Sequence, residues 1–584
     1  MSRYIATFNE KGVFGAKGNN LQKIYNLFID YNNIKIPDTL ILKPALFKKI
    51  MLENGNTDFS NYQNIIINPS LTSKILLSIH AKFDKASLVV RSSATCEDSI
   101  FFSCAGQYDS FLNIKKDEDI INAIKKVYSS FYSKNAILYS NIYNIDLKKE
   151  SMAILIQKVA PVKTSGVMFS CNPIDGGDKY IIESSKGLGT SVVEGIGVIN
   201  SLEIEYNNVS KVKDSIIIRL IEIMNKLKQY FNFDVDVEWG LDEKNNIYIF
   251  QTRPIILNEI KLIVNHDSGI EKIKGDIISK GFNIGMINNI SDKENNVILY
   301  QDIKYDFNNL ELLLDCKGVI LKEKSKLSHF ANILRELNKP CLTVKNFKFK
   351  KDNLYIIDAY NGVIIDFEKL KPDLKVKYLM LYFSYLNKVY KNSFEKYNGI
   401  KQIDFDNKIE QVAFGVNEKN IINKLKQKGF TKKNITQSIY TYDLKDKSLI
   451  EGKGILRIQV SKGNIKIQLK QLNYQNDKNY REEHGILVYF DSLEKAKKFM
   501  KSLNMEETGY QERKIVNYVK GGVVVNIIKW PGCDAYLGIE AENKEMLKDI
   551  VNDLEINECE LSGIGGKEIF ARLNLTLNKC KFKE

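Results

Sequence analysis

The sequence predicts a multidomain protein of mixed α/β and α+β class that ends in an antiparallel β-barrel. Three observations predict this architecture. The chain has 584 residues, which is more than one hydrophobic core can organise. Its first half alternates β-branched runs with amphipathic stretches, a pattern typical of α/β domains. From about residue 405 a pattern of strand, helix and further strands occurs twice, which indicates a closed or nearly closed barrel with helices.

The same patterns divide the chain into five segments. Residues 1–255 are predicted to form one large α/β unit, and the polar, weakly patterned residues 256–292 are expected to be a linker. A compact β/α unit follows over 293–370. Residues 371–404 are predicted to be a helical linker, and residues 405–584 to be the barrel domain.

Composition excludes several classes of function. No apolar run reaches the roughly 20 residues of a membrane helix, and the N-terminus carries no secretory signal, so we expect a cytoplasmic protein without a membrane partner. The 8 cysteines form no CxxC pair, which argues against a zinc site or a disulfide framework. The formal charge of +14 comes from lysines that do not interleave with aromatic residues, so no nucleic-acid partner is expected.

His329 differs from the other histidines because it directly follows a natural helix N-cap, Ser328. Apolar residues at helical spacing predict a helix that begins with the histidine, and Pro340 lies beyond its end. A helix N-terminus favours a phosphate group, and an imidazole there can accept, carry and release a phosphoryl group. On local pattern alone, a histidine that merely begins a helix is the commoner case. Three histidines match no functional pattern and are expected to be structural: His80, His266 and His484.

The stretch 318–344 resembles the swivelling phosphohistidine domain of the family of phosphoenolpyruvate synthase, pyruvate phosphate dikinase and rifampin phosphotransferase. One departure is Lys324-Ser325, where relatives usually carry a glycine pair. The resemblance implies that His329 is the catalytic phosphoryl carrier. The residues in register with the family motif are Ser328, His329, Arg335, Glu336 and Pro340.

Three other stretches carry residues suited to a nucleotide site. A glycine-flexible turn brings Lys17 into a predicted helix, where its ammonium group can meet a phosphate. Arg91 follows a buried strand, and a guanidinium pairs bidentately with phosphate oxygens. Glu238 ends one strand, and Gln251 and Arg253 share a face of the next. A carboxylate and an amide oxygen on adjacent strands can bind Mg²⁺, and Arg253 can offset charge that develops on phosphate. Taken singly, each of these residues is more often an ordinary exposed polar group.

Together these residues follow the order of the ATP-grasp domain of the same family, although Thr190 stands where relatives usually carry a glutamate. The resemblance implies ATP and Mg²⁺ as cofactors, with the metal at Glu238 and Gln251 and with Arg253 assisting catalysis. It also implies that the β-phosphoryl group passes from ATP to His329 and leaves AMP and phosphate. The ATP-binding residues that it implies are Lys17, Arg91, Gln107, Glu238, Gln251 and Arg253.

The acceptor modules of this family have no counterpart in the sequence. The residues after 370 lack the βα alternation of a (β/α)₈ barrel, and the predicted linker is too short for a helical substrate domain. The C-terminal region instead resembles the CYTH superfamily of triphosphate tunnel enzymes, which bind polyphosphate through inward lysine and arginine and bind Mg²⁺ through inward carboxylates. The matching strands carry Arg457, Lys470, Arg481 and Glu483.

Two metal-binding carboxylates of the CYTH pattern are missing. Only Glu410 is kept from the first motif, where Lys408 and Val412 occupy the flanking positions. Gly538 replaces a glutamate in the last motif, which keeps Glu540. Cyclase or triphosphatase activity is therefore the less favoured interpretation, whereas a basic barrel still favours an anionic ligand.

These features predict an ATP-dependent dikinase-type phosphotransferase that moves a phosphoryl group through His329 to an unidentified acceptor. We expect the C-terminal domain to bind this acceptor, which is a small molecule, anionic in the simplest case, or a protein. Two other classes stay open. One is a non-catalytic ATP-binding regulatory protein, and the other is a CYTH-type cyclase or triphosphatase with an accessory N-terminal half.

Overall fold

In the computed structural model the chain folds into two compact units. Unit 1 comprises Met1–Glu259, Gly275–Gly281 and Tyr300–Phe347, and unit 2 comprises Ile260–Lys274, Phe282–Leu299 and Lys348–Glu584. The structure describes residues 3–55, 58–97, 108–143, 145–187, 200–255, 257, 262–289, 298–301, 310–322, 329–345, 347–392, 400–473, 480–557, 560–563, 566–573 and 582.

The described helices and strands follow one another along the chain with these bounds. The helices are α1 (Gly15–Phe28), α2 (Pro44–Asn54), α3 (Pro69–Phe83), α4 (Asp117–Ser130), α5 (Lys134–Ile142), α6 (Ser215–Phe231), α7 (Leu310–Asp315), α8 (His329–Glu336), α9 (Pro372–Asn392), α10 (Glu418–Gln427), α11 (Ser448–Glu451), α12 (Leu493–Ser502), α13 (Lys544–Asp553) and α14 (Gly566–Arg572). The strands are β1 (Ile5–Ala6), β2 (Ile34–Lys35), β3 (Thr39–Leu42), β4 (Leu88–Ala94), β5 (Ser110–Ile114), β6 (Met152–Lys158), β7 (Val162–Phe169), β8 (Lys179–Lys186), β9 (Asn200–Glu205), β10 (Val235–Asp242), β11 (Ile247–Pro254), β12 (Ile273–Lys274), β13 (Asp276–Ser279), β14 (Phe282–Asn289), β15 (Ile298–Gln301), β16 (Gly318–Leu321), β17 (Cys341–Thr343), β18 (Leu354–Asp358), β19 (Val363–Asp366), β20 (Ile400–Phe405), β21 (Lys408–Ala413), β22 (Thr431–Leu444), β23 (Gly454–Ser461), β24 (Asn464–Asn473), β25 (Arg481–Phe490), β26 (Met505–Lys520), β27 (Val523–Lys529), β28 (Tyr536–Ala541) and β29 (Leu561–Ser562).

Unit 1 is a mixed α/β structure, which confirms the predicted class of the first half. Its first sheet has the order β1-β3-β6-β4-β5, and its second has the order β2-β11-β10-β7-β8-β9. A smaller group of strands comes later in the chain, where β17 pairs antiparallel with β13 and parallel with β16. The predicted helix from His329, α8, lies between β16 and β17 in sequence.

Helix α6 illustrates how the sequence builds unit 1. Asp214 Oδ1 accepts hydrogen bonds of 2.8 and 3.2 Å from the backbone N–H groups of Ile216 and Ile217, and so caps the first turn. The helix ends at Asn232, whose φ of 60° is left-handed. Its apolar stripe packs with the core residues of the second sheet, and the buried members of the stripe include Leu220, Ile221, Met224 and Leu227.

Part of the predicted linker over 256–292 is strand. Three strands, β12, β13 and β14, lie within it. Phe282 and Ile284 are fully buried, and β14 pairs antiparallel with β18. The segment looks weakly patterned in sequence because its apolar residues become buried only against strands about 70 residues later in the chain.

Unit 2 contains a closed antiparallel barrel, which confirms the predicted C-terminal architecture. The strands follow the order β25-β24-β23-β22-β26-β27-β28-β21, and the pairing of β21 with the first part of β25 closes the ring. The outward residues of the strands are apolar and join cores with the flanking helices. The inward positions are largely polar or charged, so the usual arrangement of a small barrel is reversed. Among the described helices, none has the length and apolar composition needed to span a membrane.

Candidate active site

A glycine turn sets the start of α1 against β4. Gly15 has a φ of +72°, and a Cβ atom on it would lie 1.8 Å from the carbonyl oxygen of Ser93. Ser93 Oγ donates to the carbonyl of Phe14 at 2.7 Å and accepts from the backbone N–H of Gly18 at 2.9 Å. Only glycine fits this position, because any side chain would meet backbone atoms. The turn therefore fixes the first turn of α1, which carries Lys17, next to β4.

Lys17 is held by a buried carboxylate in this setting. Its Nζ lies 3.1 Å from Glu97 Oε1 and 3.3 Å from Ser92 Oγ. Glu97 is 1% exposed, and its second carboxylate oxygen accepts from the backbone N–H of Ala94 at 3.0 Å. The sequence analysis did not single out Glu97, and the only signal for it was its place in the polar loop after Arg91.

Arg91 meets two of the predicted metal-binding residues. Its Nη2 lies 2.8 Å from Gln251 Oε1 and 3.4 Å from Glu238 Oε2, and its Nη1 donates to the carbonyl of Phe250 at 3.1 Å. Glu238 on β10 and Gln251 on β11 are directly opposite partners in the sheet. The structure thus brings Arg91, Glu238 and Gln251 together around one point.

Arg253 forms a second, deeper ion pair on the same two strands. Its Nε donates to Asp236 Oδ2 at 2.8 Å, and its Nη2 lies 3.8 Å from Glu238 Oε1. Burial raises the pKa of Asp236, while the Arg253 guanidinium opposes that rise. Sequence reasoning missed Asp236, although its spacing of two from Glu238 places both carboxylates on one face of β10.

The donor set around Arg91 suits a hard cation. The oxygens of Glu238 and Gln251 converge on the same guanidinium nitrogen, so their geometry already accommodates one positive charge. Carboxylate and amide oxygens are ligands that Mg²⁺ accepts, usually together with phosphate oxygens and water. In the part of the chain that the structure describes, no group of three or more His, Cys, Asp or Glu side chains is placed to bind a metal.

The helix that begins at His329 lies beside Arg253. Residues of α8 and residues at the ends of β7, β10 and β11 line one cavity: Asn332, Arg335 and Glu336, with Phe169, Pro173, Asp236, Arg253, Pro254 and Ile255. Arg335 Nη1 donates to the carbonyl of Ile278 at 3.2 Å, and burial lowers the pKa of this guanidinium to about 10. Arg335 comes six residues after His329, or about 9 Å along a helix axis. Several predicted positions lie outside the described residues, namely Gln107, Thr190, Lys324, Ser325 and Ser328.

The chain has relatives among dikinases and phosphotransferases. Residues 11–201 match the family described as the AMP/ATP-binding domain of pyruvate phosphate dikinase. A probable phosphoenolpyruvate synthase of Methanothermobacter thermautotrophicus is 26% identical over 454 residues, which cover 64% of this chain and 66% of that protein. A rifampicin phosphotransferase of Bacillus cereus is 28% identical over 205 residues, 30% of this chain and 24% of that protein. The chain spans less than two thirds of the length of these relatives.

Solved structures with similarity include two proteins described as putative adenylate or adenylyl cyclases. A putative adenylate cyclase from Vibrio parahaemolyticus aligns with 28% of this chain and 97% of its own, at 15% identity and a TM-score of 0.24. A putative adenylyl cyclase from Hippeastrum, described as having a dominant triphosphatase activity, aligns with 29% of this chain and 97% of its own, at 12% identity and a TM-score of 0.23. Residues 11–201 therefore match the AMP/ATP-binding domain family of pyruvate phosphate dikinase, and unit 2 carries a closed antiparallel barrel.

Proposed function

We propose that this protein is an ATP-dependent phosphotransferase of the dikinase type. In the overall transfer, ATP, water and His329 give phosphohistidine, AMP and phosphate, and the phosphoryl group then passes to an acceptor. The observation that carries this proposal is the cavity shared by α8 and the Arg253–Asp236 pair. This shared cavity supports a role for α8, the helix that begins at His329, next to the cations of the nucleotide domain.

The polar residues of unit 1 suit complementary roles in this reaction. Arg91 and Arg253 offer guanidinium donors to phosphate oxygens, and both are positioned by acidic or amide partners on β10 and β11. Lys17 offers a further cation at the start of α1, and Gln107 is proposed as an additional nucleotide contact. Arg253 is the group we assign to charge that develops as the phosphoryl group leaves.

Mg²⁺ is the metal that this donor set would hold, through Glu238 and Gln251. When bound, it would offset the negative charge of the nucleotide phosphates. Because both oxygens contact Arg91 Nη2, metal loading requires this guanidinium to move away from them. Arg91 would then be free to donate to a phosphate.

The test is the transfer of label from ATP to His329. Incubation with ATP labelled at the β-phosphorus is expected to give an acid-labile, base-stable phosphoprotein, and label at the γ-phosphorus is expected to leave as phosphate. His329→Ala should abolish the labelled protein. His80→Ala is the matched control, because His80 is exposed and its imidazole pairs with a surface carboxylate, Asp117, at 2.9 Å. Label that persists in His329→Ala would refute the carrier role.

We propose that the barrel of unit 2 binds the phosphoryl acceptor, a small molecule or a protein. The cations of its interior support an anionic ligand, as the next section describes. Product analysis separates this proposal from its alternatives. Release of AMP supports the dikinase reaction, whereas cyclic AMP or inorganic triphosphate cleavage would indicate a CYTH-type enzyme. Formation of no product from ATP would indicate a regulatory ATP-binding protein.

A further inference from the structure

The interior of the barrel contains more cations than carboxylates. In β21 to β28, alternate residues point inward, because the intervening residues join the outer apolar cores. The cations that line or contact the interior are Lys408, Arg457, Lys466, Lys470, Arg481 and Arg513. The carboxylates there are Asp406, Glu410, Glu483 and Glu540. The difference leaves positive charge without a counterion among the described residues.

Each of these carboxylates is already paired. Arg481 lies 2.6 Å from Glu410 and 2.8 Å from Glu483, and Glu483 also contacts Lys470. The pairs are buried, so separating them would leave uncompensated charges at high cost. A metal ion could bind Glu410 or Glu483 only by displacing a buried cationic partner.

Lys408 contacts both of the other two carboxylates, Asp406 and Glu540. Its Nζ lies 2.7 Å from Glu540 Oε2 and 3.4 Å from Asp406 Oδ1. Glu540 also accepts from Asn526 at 3.0 Å, and Asp406 accepts from Gln468 at 2.8 Å. An ammonium group thus satisfies the oxygens that a divalent cation needs. The donor set of the barrel does not fit the Mg²⁺ that its fold family implies.

Three cations lack a carboxylate partner in the described part of the chain. Arg457 Nε donates to Gln468 Oε1 at 2.7 Å, and Arg513 Nε donates to Gln437 Oε1 at 2.8 Å. Lys466 forms neither an ion pair nor a hydrogen bond with a described residue, and its Nζ lies 5.9 Å from the centre of the Tyr489 ring. All three side chains are partly exposed although the barrel wall surrounds them, so solvent reaches them inside the barrel. Their remaining N–H groups are the donors that an anion would use.

We infer that the barrel interior is an anion-binding site that works without a divalent metal, in which Lys408 replaces the cation and Arg457, Lys466 and Arg513 bind the ligand. The ligand class is a small oxyanion of the phosphate type, either free or as part of a phosphorylated molecule. Guanidinium groups match its oxygens in bidentate geometry, and the glutamine amides complete a polar lining. This inference deepens the proposed role of the barrel as the acceptor site and rests on it for the function of the bound anion, but the binding step itself needs neither ATP nor His329.

Calorimetric titration of the full chain with inorganic pyrophosphate tests the inference. The His329→Ala variant is titrated in the same way, so that failure of the transfer reaction does not affect the result. We expect binding in EDTA with an affinity within about two-fold of that in excess Mg²⁺. Binding that is lost in EDTA, or no binding under either condition, would overturn the inference. This comparison needs no substitution and therefore does not depend on the folding of any variant.

Substitutions then locate the site. Replacing Arg457 and Arg513 together by glutamine should weaken pyrophosphate binding about ten-fold or more, because two charge-assisted contacts are lost. Arg219→Gln is the matched control and should bind as the wild type does. Arg219 is half-buried and donates to the carbonyls of Asn245 and Asn33, both at 3.0 Å. Equal affinity of the double variant and the wild type would place the anion elsewhere and would refute the assignment.

Lys408 gives the most specific test of metal replacement. Lys408→Glu removes the ammonium group and adds a carboxylate beside Asp406 and Glu540. Pyrophosphate binding by this variant should become dependent on Mg²⁺, with a gain of about ten-fold or more on adding the metal. Lys408→Gln is the control, which removes the charge and adds no carboxylate. Binding by Lys408→Glu that is indifferent to Mg²⁺ would contradict the role assigned to Lys408.

Discussion

The hydroxyl group of Tyr139 donates a hydrogen bond of 2.6 Å to Glu336 Oε2. Tyr139 lies on α5 and is 2% exposed, and Glu336 is the last residue of α8, the helix that begins at His329. A hydrogen bond to a carboxylate is stronger than one between neutral groups. This contact therefore ties the helix of the proposed carrier to the nucleotide half of unit 1.

Tyr139→Phe should slow phosphohistidine formation by roughly ten-fold, because losing a hydrogen bond to a charged group costs about 1.5–3 kcal/mol. ATP affinity should change little, since the hydroxyl of Tyr139 donates to Glu336, which is not one of the proposed nucleotide residues. Single-turnover labelling measures the rate, and equilibrium titration measures the affinity. Tyr25→Phe is the control, because Tyr25 makes an exposed hydrogen bond of 3.1 Å to Asn9. An unchanged labelling rate in Tyr139→Phe would show that the contact does not position α8.

Gly15→Ala should destabilise unit 1 by about 3 kcal/mol or more and abolish ATP binding. The new methyl group would lie 1.8 Å from a backbone oxygen and would force the first turn of α1 away from β4. Gly187→Ala is the matched control. Gly187 has a φ of +86°, and a Cβ atom there meets nothing within 4 Å, so only the backbone strain of about 1 kcal/mol remains. Denaturant unfolding with both variants measures the difference, and equal losses would contradict the steric explanation.

Lys317 predicts a pH dependence of stability. Burial lowers its pKa to about 7, below the value in the unfolded chain. At a pH between the folded and the unfolded pKa, Lys317 is protonated in the unfolded chain and neutral in the folded chain. The free energy of unfolding should therefore rise with pH. The expected contribution is about 2 kcal/mol between pH 7 and pH 9.

Lys317→Met should remove this pH dependence and should stabilise unit 1 at pH 7. Urea unfolding of the wild type and the variant at both pH values tests the prediction. Lys74→Met, a change at an exposed lysine on α3, should leave the pH dependence unchanged. The assignment would be contradicted if the free energy of unfolding changed equally from pH 7 to pH 9 in the wild type and in Lys317→Met.

His266→Ala should destabilise unit 2 by about 3–5 kcal/mol without affecting His329 labelling. His266 Nε2 lies 2.8 Å from Asp358 Oδ2, and its Nδ1 lies 2.6 Å from the hydroxyl of Tyr378. Asp358 is fully buried, so loss of the imidazole leaves a buried carboxylate with fewer donors. Thermal unfolding measures the loss, with His80→Ala as a surface control. Retained stability in His266→Ala would show that this buried cluster is not structural.

Local pattern was sufficient for elements whose stabilising contacts lie close in sequence. The apolar spacing after His329 predicts α8, and the spacing of Gln251 and Arg253 predicts their common face on β11. The repeat after residue 405 predicts the barrel, because a strand, a helix and further strands occur twice in succession. The strands within 256–292 escaped detection, because their burial depends on partners far along the chain.

The sequence by itself determined the residue types that chemistry requires: a histidine at a helix start, cations and carboxylates on alternating strands, and an excess of positive charge. Only the tertiary structure decided which of these groups are paired. Asp236 with Arg253, Glu97 with Lys17, and Lys408 with Glu540 come from separate segments of the chain. Coulombic and hydrogen-bonding energies depend on distances of a few ångströms and on burial. Neither the distances nor the burial can be read from the linear order of residues. For that reason the same list of charges was compatible with both a metal site and an anion site until the fold placed Lys408 against Asp406 and Glu540.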